Sequence, residues 1–170
     1  MKPIDEIRSR ESPRQILAHD FKTMGELPIR GGWGYSMADA CIIDKNDRVV
    51  NPATPFNGVA IEYVFVEKRI YEELIIFRSD GEQFSDIKWK LLQQDVVPTG
   101  PRMFDKLTFA ITAIPDADWY LLKAEWEGPP GHTNPDFDLA AHLRRRQELT
   151  IRFQREFWFD ITSFFPTTGD

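Results

Sequence analysis

Two of the three histidines of this chain, His132 and His142, lie close together with Asp136 and Asp138 between them. Imidazole nitrogens and carboxylate oxygens are donors that zinc, manganese or iron take. Asp138 and His142, four residues apart, would share one face of a helix. The spacing matches no established zinc motif. A structural reading competes with the metal: Asp136 and Asp138 cap a helix, His132 lies on a loop, and His142 belongs to the helix. If a metal binds, Arg155 or Asp160 is expected to support its ligands from the following strand.

Gly31-Gly32-Trp33-Gly34-Tyr35-Ser36 is the second stretch with chemical content. Its glycines reach backbone angles closed to other residues. Gly34-Tyr35-Ser36-Met37-Ala38 approaches the G-x-S-x-G of a nucleophile elbow, with Ala38 replacing the last glycine. An elbow sits at the top of a parallel sheet, between a buried strand and a full helix. The short stretch before Gly34 leaves no room for those strands, so the motif is rejected. Backbone N–H groups here could cradle an anion, but no Gly-Lys-Ser/Thr follows. The expected role is a tight turn from which Trp33 and Tyr35 pack inward or meet a partner.

Other chemistry rests on single residues. Cys41 is the only cysteine, which excludes an intrachain disulfide and fits a reducing compartment. With no His or Lys beside it, it reads as a buried thiol rather than a nucleophile. Arg144, Arg145 and Arg146 read as a solvated helix end, where cations suit the helix dipole. Arg155 is read in two ways: half of a buried Arg–carboxylate pair, or the arginine floor of a pocket for an anionic ligand.

The most strongly patterned element is Leu149 to Ile161. Its odd positions (Leu149, Ile151, Phe153, Arg155, Phe157, Phe159, Ile161) are apolar except for Arg155, and its even positions are mostly polar. That is a strand with one buried face. It would span about 43 Å, long for a strand, so a bend or bulge is expected near Arg155.

Ser12-Pro13-Arg14-Gln15 has the marks of a capped helix start. Leu17, Phe21 and Met24 then share one face, and Gly25 stops the helix. Asp39–Val50 reads as a small hairpin with arms Cys41–Ile43 and Val49-Val50. Val59–Val66, rich in β-branched and aromatic residues, reads as a strand. Glu67–Phe77 fits either helix or strand, with its charge density favouring helix at Glu67–Glu73. Asp86–Val97 and Leu107–Ala113 alternate and pair antiparallel. A helix opens at Asp116, aligns Trp119, Leu122 and Trp126, and ends at Gly128. It is expected to cover the apolar face of the sheet. Another runs from Asp136 or Asp138 to Gln147. The sum is α+β: a mainly antiparallel sheet of four to six strands with about three helices, at least one packed on one sheet face. A single domain covers residues 1–170, with a loose arm at 1–11 and a short tail at 163–170.

The 170 residues, 42% hydrophobic and 28% charged, suit one domain with a real core. A net charge of −6 argues against non-specific binding to nucleic acid or anionic membranes. No run approaches the roughly 18 apolar residues of a membrane span. The first residues hold no apolar signal core, so a soluble cytoplasmic protein is expected. The aromatic share of 13% can supply a recognition surface beyond the core. The expected function is a non-catalytic, acidic interaction protein binding another protein: an inhibitor, an immunity-type partner or an accessory factor. Trp33, Tyr35 and Arg155 are its candidate partner- or ligand-binding residues, a basic protein would complement its charge, and no cofactor is required. The alternative is a small enzyme or ligand-binding domain in which His132, Asp136, Asp138 and His142 hold a divalent metal. Open sheet edges leave room for a homodimer.

Overall fold

A computed structural model describes residues 3–165. The chain is α+β, with one five-stranded mixed sheet ordered β1-β2-β5-β4-β3. The strands are β1 (Ile29–Gly31), β2 (Cys41–Ile43), β3 (Phe84–Thr99), β4 (Arg102–Pro115) and β5 (Ile151–Asp160). The helices are α1 (Pro13–Asp20), α2 (Gly58–Tyr71), α3 (Asp116–Glu127) and α4 (Leu139–Leu149). β3 and β4 form a long hairpin, and β5 runs antiparallel beside β4. β2 joins β5 in parallel, so the sheet is mixed.

The expected bend at Arg155 is absent. β5 keeps unbroken register with β4 from Ala113↔Ile151 to Phe104↔Asp160. The irregularities lie in β3, between Ser85 and Lys88 and between Leu91 and Gln93. Arg155 needs no bend because a carboxylate on the covering layer meets it.

Val59–Val66 is helical, contrary to its reading as a strand. Asn57 caps α2 through the Ala60 N–H at 3.0 Å. Glu62, Phe65, Val66, Arg69 and Ile70 then form its buried face. That spacing is helical, but two of the five positions are charged, which hid the apolar stripe. Burial against the sheet overrides the β propensity of the valines. The helix continues through a π turn at Glu72–Ile76, closed by Phe77 N–H donating to Glu72 O at 2.9 Å. Glu67–Ile76 is therefore helical throughout, and Phe77 caps it.

α2, not the two-tryptophan helix, covers the apolar face of the sheet. Phe65 stacks edge-on against Phe159 of β5. α3 buries only Leu122. Its tryptophans turn toward α4 because α3 follows β4 without a loop and pairs with α4 at the end of the β3–β4 hairpin.

Two other local readings change. β2 pairs with β1 rather than with Val49-Val50. The Asp47 carboxylate accepts from the Val49 N–H and binds Arg14, folding that segment into turns. Residues 3–11 have no regular structure, but they are not a loose arm: Ile4 and Ile7 are buried in the core. The capping box at Ser12 and Gln15 forms as read. Of the tail, Ser163 donates to Ile43 O at 2.9 Å, and residues 166–170 lie outside the described residues.

Candidate functional site

Under α2 the chain buries charge. Arg69, at 0% exposure, lies between the rings of Tyr35 and Phe157, 3.7 and 4.1 Å from their centroids. One turn on, Glu73 accepts from Arg155 Nε at 2.6 Å and from the Tyr35 hydroxyl at 2.9 Å. The same group straps down residues 4–7: Arg155 Nη2 donates to Ile4 O, and Ile7 N–H donates to Tyr35 Oη. Burial pushes the Tyr35 hydroxyl up to about 12, with the Glu73 charge adding to the effect, so it remains a donor at neutral pH. Burial lowers the Arg69 guanidinium from its ordinary value. Arg155 is thus half of a buried ion pair and also lines a cavity of about 770 Å³ between residues 4–8 and 73–82. The first of the two readings of Arg155, the Arg–carboxylate pair, is met.

Trp33 cannot serve as an exposed anchor. It is 5% exposed and packs on Phe65 and Phe77. The glycines explain why: Gly34, at φ +78°, lies so close to β5 that a Cβ would fall 2.8 Å from Trp158 O. The loop is pressed onto the sheet, with Trp158 N–H donating to Gly34 O at 2.8 Å. Tyr35 is half-buried and belongs to the Glu73 cluster. Cys41 is fully buried, and desolvation raises its thiol far above the range of a reactive cysteine.

Two carboxyl pairs escaped the sequence reading. Glu62 of α2 faces Asp105 of β4, and Glu72 of the π turn faces Asp20 of α1. Desolvation, then the neighbouring carboxylate, pushes Glu62 and Glu72 each up to about 9. Both are therefore protonated at neutral pH, and neither Glu72 oxygen has a hydrogen-bond partner among the described residues. The only sequence signal was the spacing of Glu62, Arg69 and Glu73 on one helical face.

His132, Asp136, Asp138 and His142 are brought near one another but do not share an ion site. Among the described residues no three His, Cys, Asp or Glu side chains are placed to hold a metal. Asp138 caps α4 through the Ala141 N–H at 3.0 Å. His132 stacks on Trp126 at 4.2 Å and bonds Trp126 O through Nδ1. His142, at 4% exposure, donates from Nδ1 to Glu125 at 2.7 Å and packs against Trp126 and Phe137. These residues clamp α3 to α4. Arg145 also binds Glu125, and Arg146 pairs with Asp86 of β3 at 2.9 Å.

Beside that clamp, Trp119, Leu122, Trp126 and Leu143 line an apolar cleft of about 220 Å³. Lys123, His142 and Arg146 complete its wall, and among the described residues no carboxylate lines it. Leu139 and Leu143 are each 49% exposed.

The chain matches no known protein family, no characterised protein and no solved structure. What its surfaces can do follows from their own side chains. Among the described residues no helix is long and apolar enough to cross a membrane.

Proposed function

We propose that this chain is a non-catalytic binding protein that engages another protein through the cleft between α3 and α4. One observation carries the reading: a concave apolar surface with two tryptophans, whose wall carries Lys123 and Arg146, paired on their outer sides with Glu127 and Asp86, and no carboxylate of its own among the described residues. Tryptophan-lined pockets that accept a buried anchor concentrate binding energy. The occupant is an apolar side chain on an acidic segment of the partner, because acidic neighbours would meet Lys123 and Arg146. The net charge of −6 favours a basic partner at long range, but salt screens that field beyond about 8 Å. At the contact the local sign governs. An inhibitor, an immunity-type partner or an accessory factor would each use such a surface. A single, fully buried cysteine supports a reducing, cytoplasmic setting.

The test uses the purified partner and a Leu143→Asp variant. Leu143 is half-exposed, so the change preserves the fold while placing a carboxylate in the cleft. Binding weakened by about tenfold or more supports the reading. Unchanged affinity contradicts it.

A further inference from the structure

The cluster under α2 is not balanced. Arg69 and Arg155 bring two positive charges and Glu73 brings one negative charge. Among the described residues Arg69 donates only to Glu156 O, at 3.3 Å, while its Nε and Nη2 are buried without acceptors. Its nearest carboxylate oxygen, on Glu73, is 3.9 Å from Nε. A buried cation in excess, with unmet donors, is costly unless an anion approaches. Arg155 and Glu73 both line the cavity, Arg69 does not, and Arg155 Nη1 makes no hydrogen bond among the described residues.

The cavity walls extend the pattern. Arg78 flanks it, Ile7 and Phe77 add apolar surface, and the exposed Arg8, Asp5, Glu6 and Glu82 stand at its rim. Charge of both signs therefore lines the cavity: Arg155 paired with Glu73 at depth, and Arg8, Arg78, Asp5, Glu6 and Glu82 around them. The π turn helps to build the site by placing Glu73 inward and Phe77 on the cavity wall. Such turns recur where a helix serves a ligand.

We propose that this cavity binds a small zwitterion, an amino acid or a short peptide. Its carboxylate would meet Arg155 and its ammonium group would face the rim. A phosphate would meet Glu73 and the rim carboxylates with two negative charges. A plain carboxylate would leave the rim unmatched. The site is separate from the α3–α4 cleft and does not rest on the protein-binding reading.

Backbone amide shifts of the ¹⁵N-labelled protein test it, with glycine, glutamate, arginine, trialanine, acetate and inorganic phosphate as probes at millimolar concentration. Saturable shifts at residues 4–8, 73–82 and 155 with the zwitterions, and weaker or no shifts with acetate and phosphate, are expected. A preference for trialanine over the free amino acids would identify the source as peptide; the reverse would identify free amino acids. Arg155 variants risk unfolding, so the control is Arg8→Gln on the exposed wall, expected to weaken binding about threefold or more. The proposal is overturned if no probe moves these residues, if acetate and phosphate bind as tightly as the zwitterions, or if Arg8→Gln binds like the parent.

Discussion

Arg155 of β5 and Glu73 of the π turn, 82 residues apart in sequence, meet at 2.6 Å beneath α2. The pair lets a charged side chain stand on the apolar face of a straight strand. Removing Glu73 leaves Arg69 buried and Arg155 half-buried without their carboxylate, which costs about 3–5 kcal/mol. Glu73→Ala should lose that much in urea unfolding. Tyr35→Phe removes one neutral donor and should lose about 1 kcal/mol. Equal losses in the two variants would show that the ion pair does not organise this region.

The protonated carboxyls give the protein an unusual alkaline slope. Unfolded, Glu62 and Glu72 lose their protons near 4.5; folded, they keep them to about 9. Unfolding therefore releases protons, and the stability present below pH 4.5 is lost progressively as pH rises toward 9. Glu62→Gln, which keeps the size of the side chain but cannot ionise, should raise stability at pH 8 and flatten this slope. Melting curves between pH 5 and pH 9 check it. A variant with an unchanged slope would remove Glu62 from the explanation.

Two glycines separate strain from crowding. Gly25 has φ +75° with nothing near its absent Cβ, while Gly34 has φ +78° against Trp158 O. Gly25→Ala should cost about 1–2 kcal/mol for the left-handed backbone alone. Gly34→Ala adds the clash and should cost more, with the larger drop in melting temperature. Similar drops would mean that the loop relaxes away from β5.

His142 holds α3 to α4 through its bond to Glu125 and its packing on Trp126 and Phe137. His142→Ala removes both, an expected loss of about 2 kcal/mol. Equimolar zinc should leave the melting temperature of the parent unchanged. A zinc-dependent rise that disappears in His142→Ala would restore the metal reading.

Much of the fold was legible where one pattern governed. The alternation of Ile151 to Phe159 marked the central strand, and the capping box at Ser12 and Gln15 marked α1. α2 was not legible because Glu62 and Arg69 occupy its inward face and valines imitate a strand. The sheet order was hidden too, since β2 pairs with residues far along the chain. Of the candidate site, Arg155 stood out as a charge among apolar residues. Glu73 did not, because its burial depends on the π turn and on residues 4–7. The cleft between α3 and α4 was visible only as aligned tryptophans, which also describe a core helix.

The central claim is that a partner protein seats an apolar side chain between α3 and α4. A photo-crosslinking residue at Leu143 in the native cell, with the crosslinked peptides sequenced, tests it most directly. One crosslinked protein is expected, joined at a segment where an apolar residue is flanked by Asp or Glu, with no such product from the exposed position Thr54. Crosslinks spread over many proteins, or the same product from both positions, would contradict the claim.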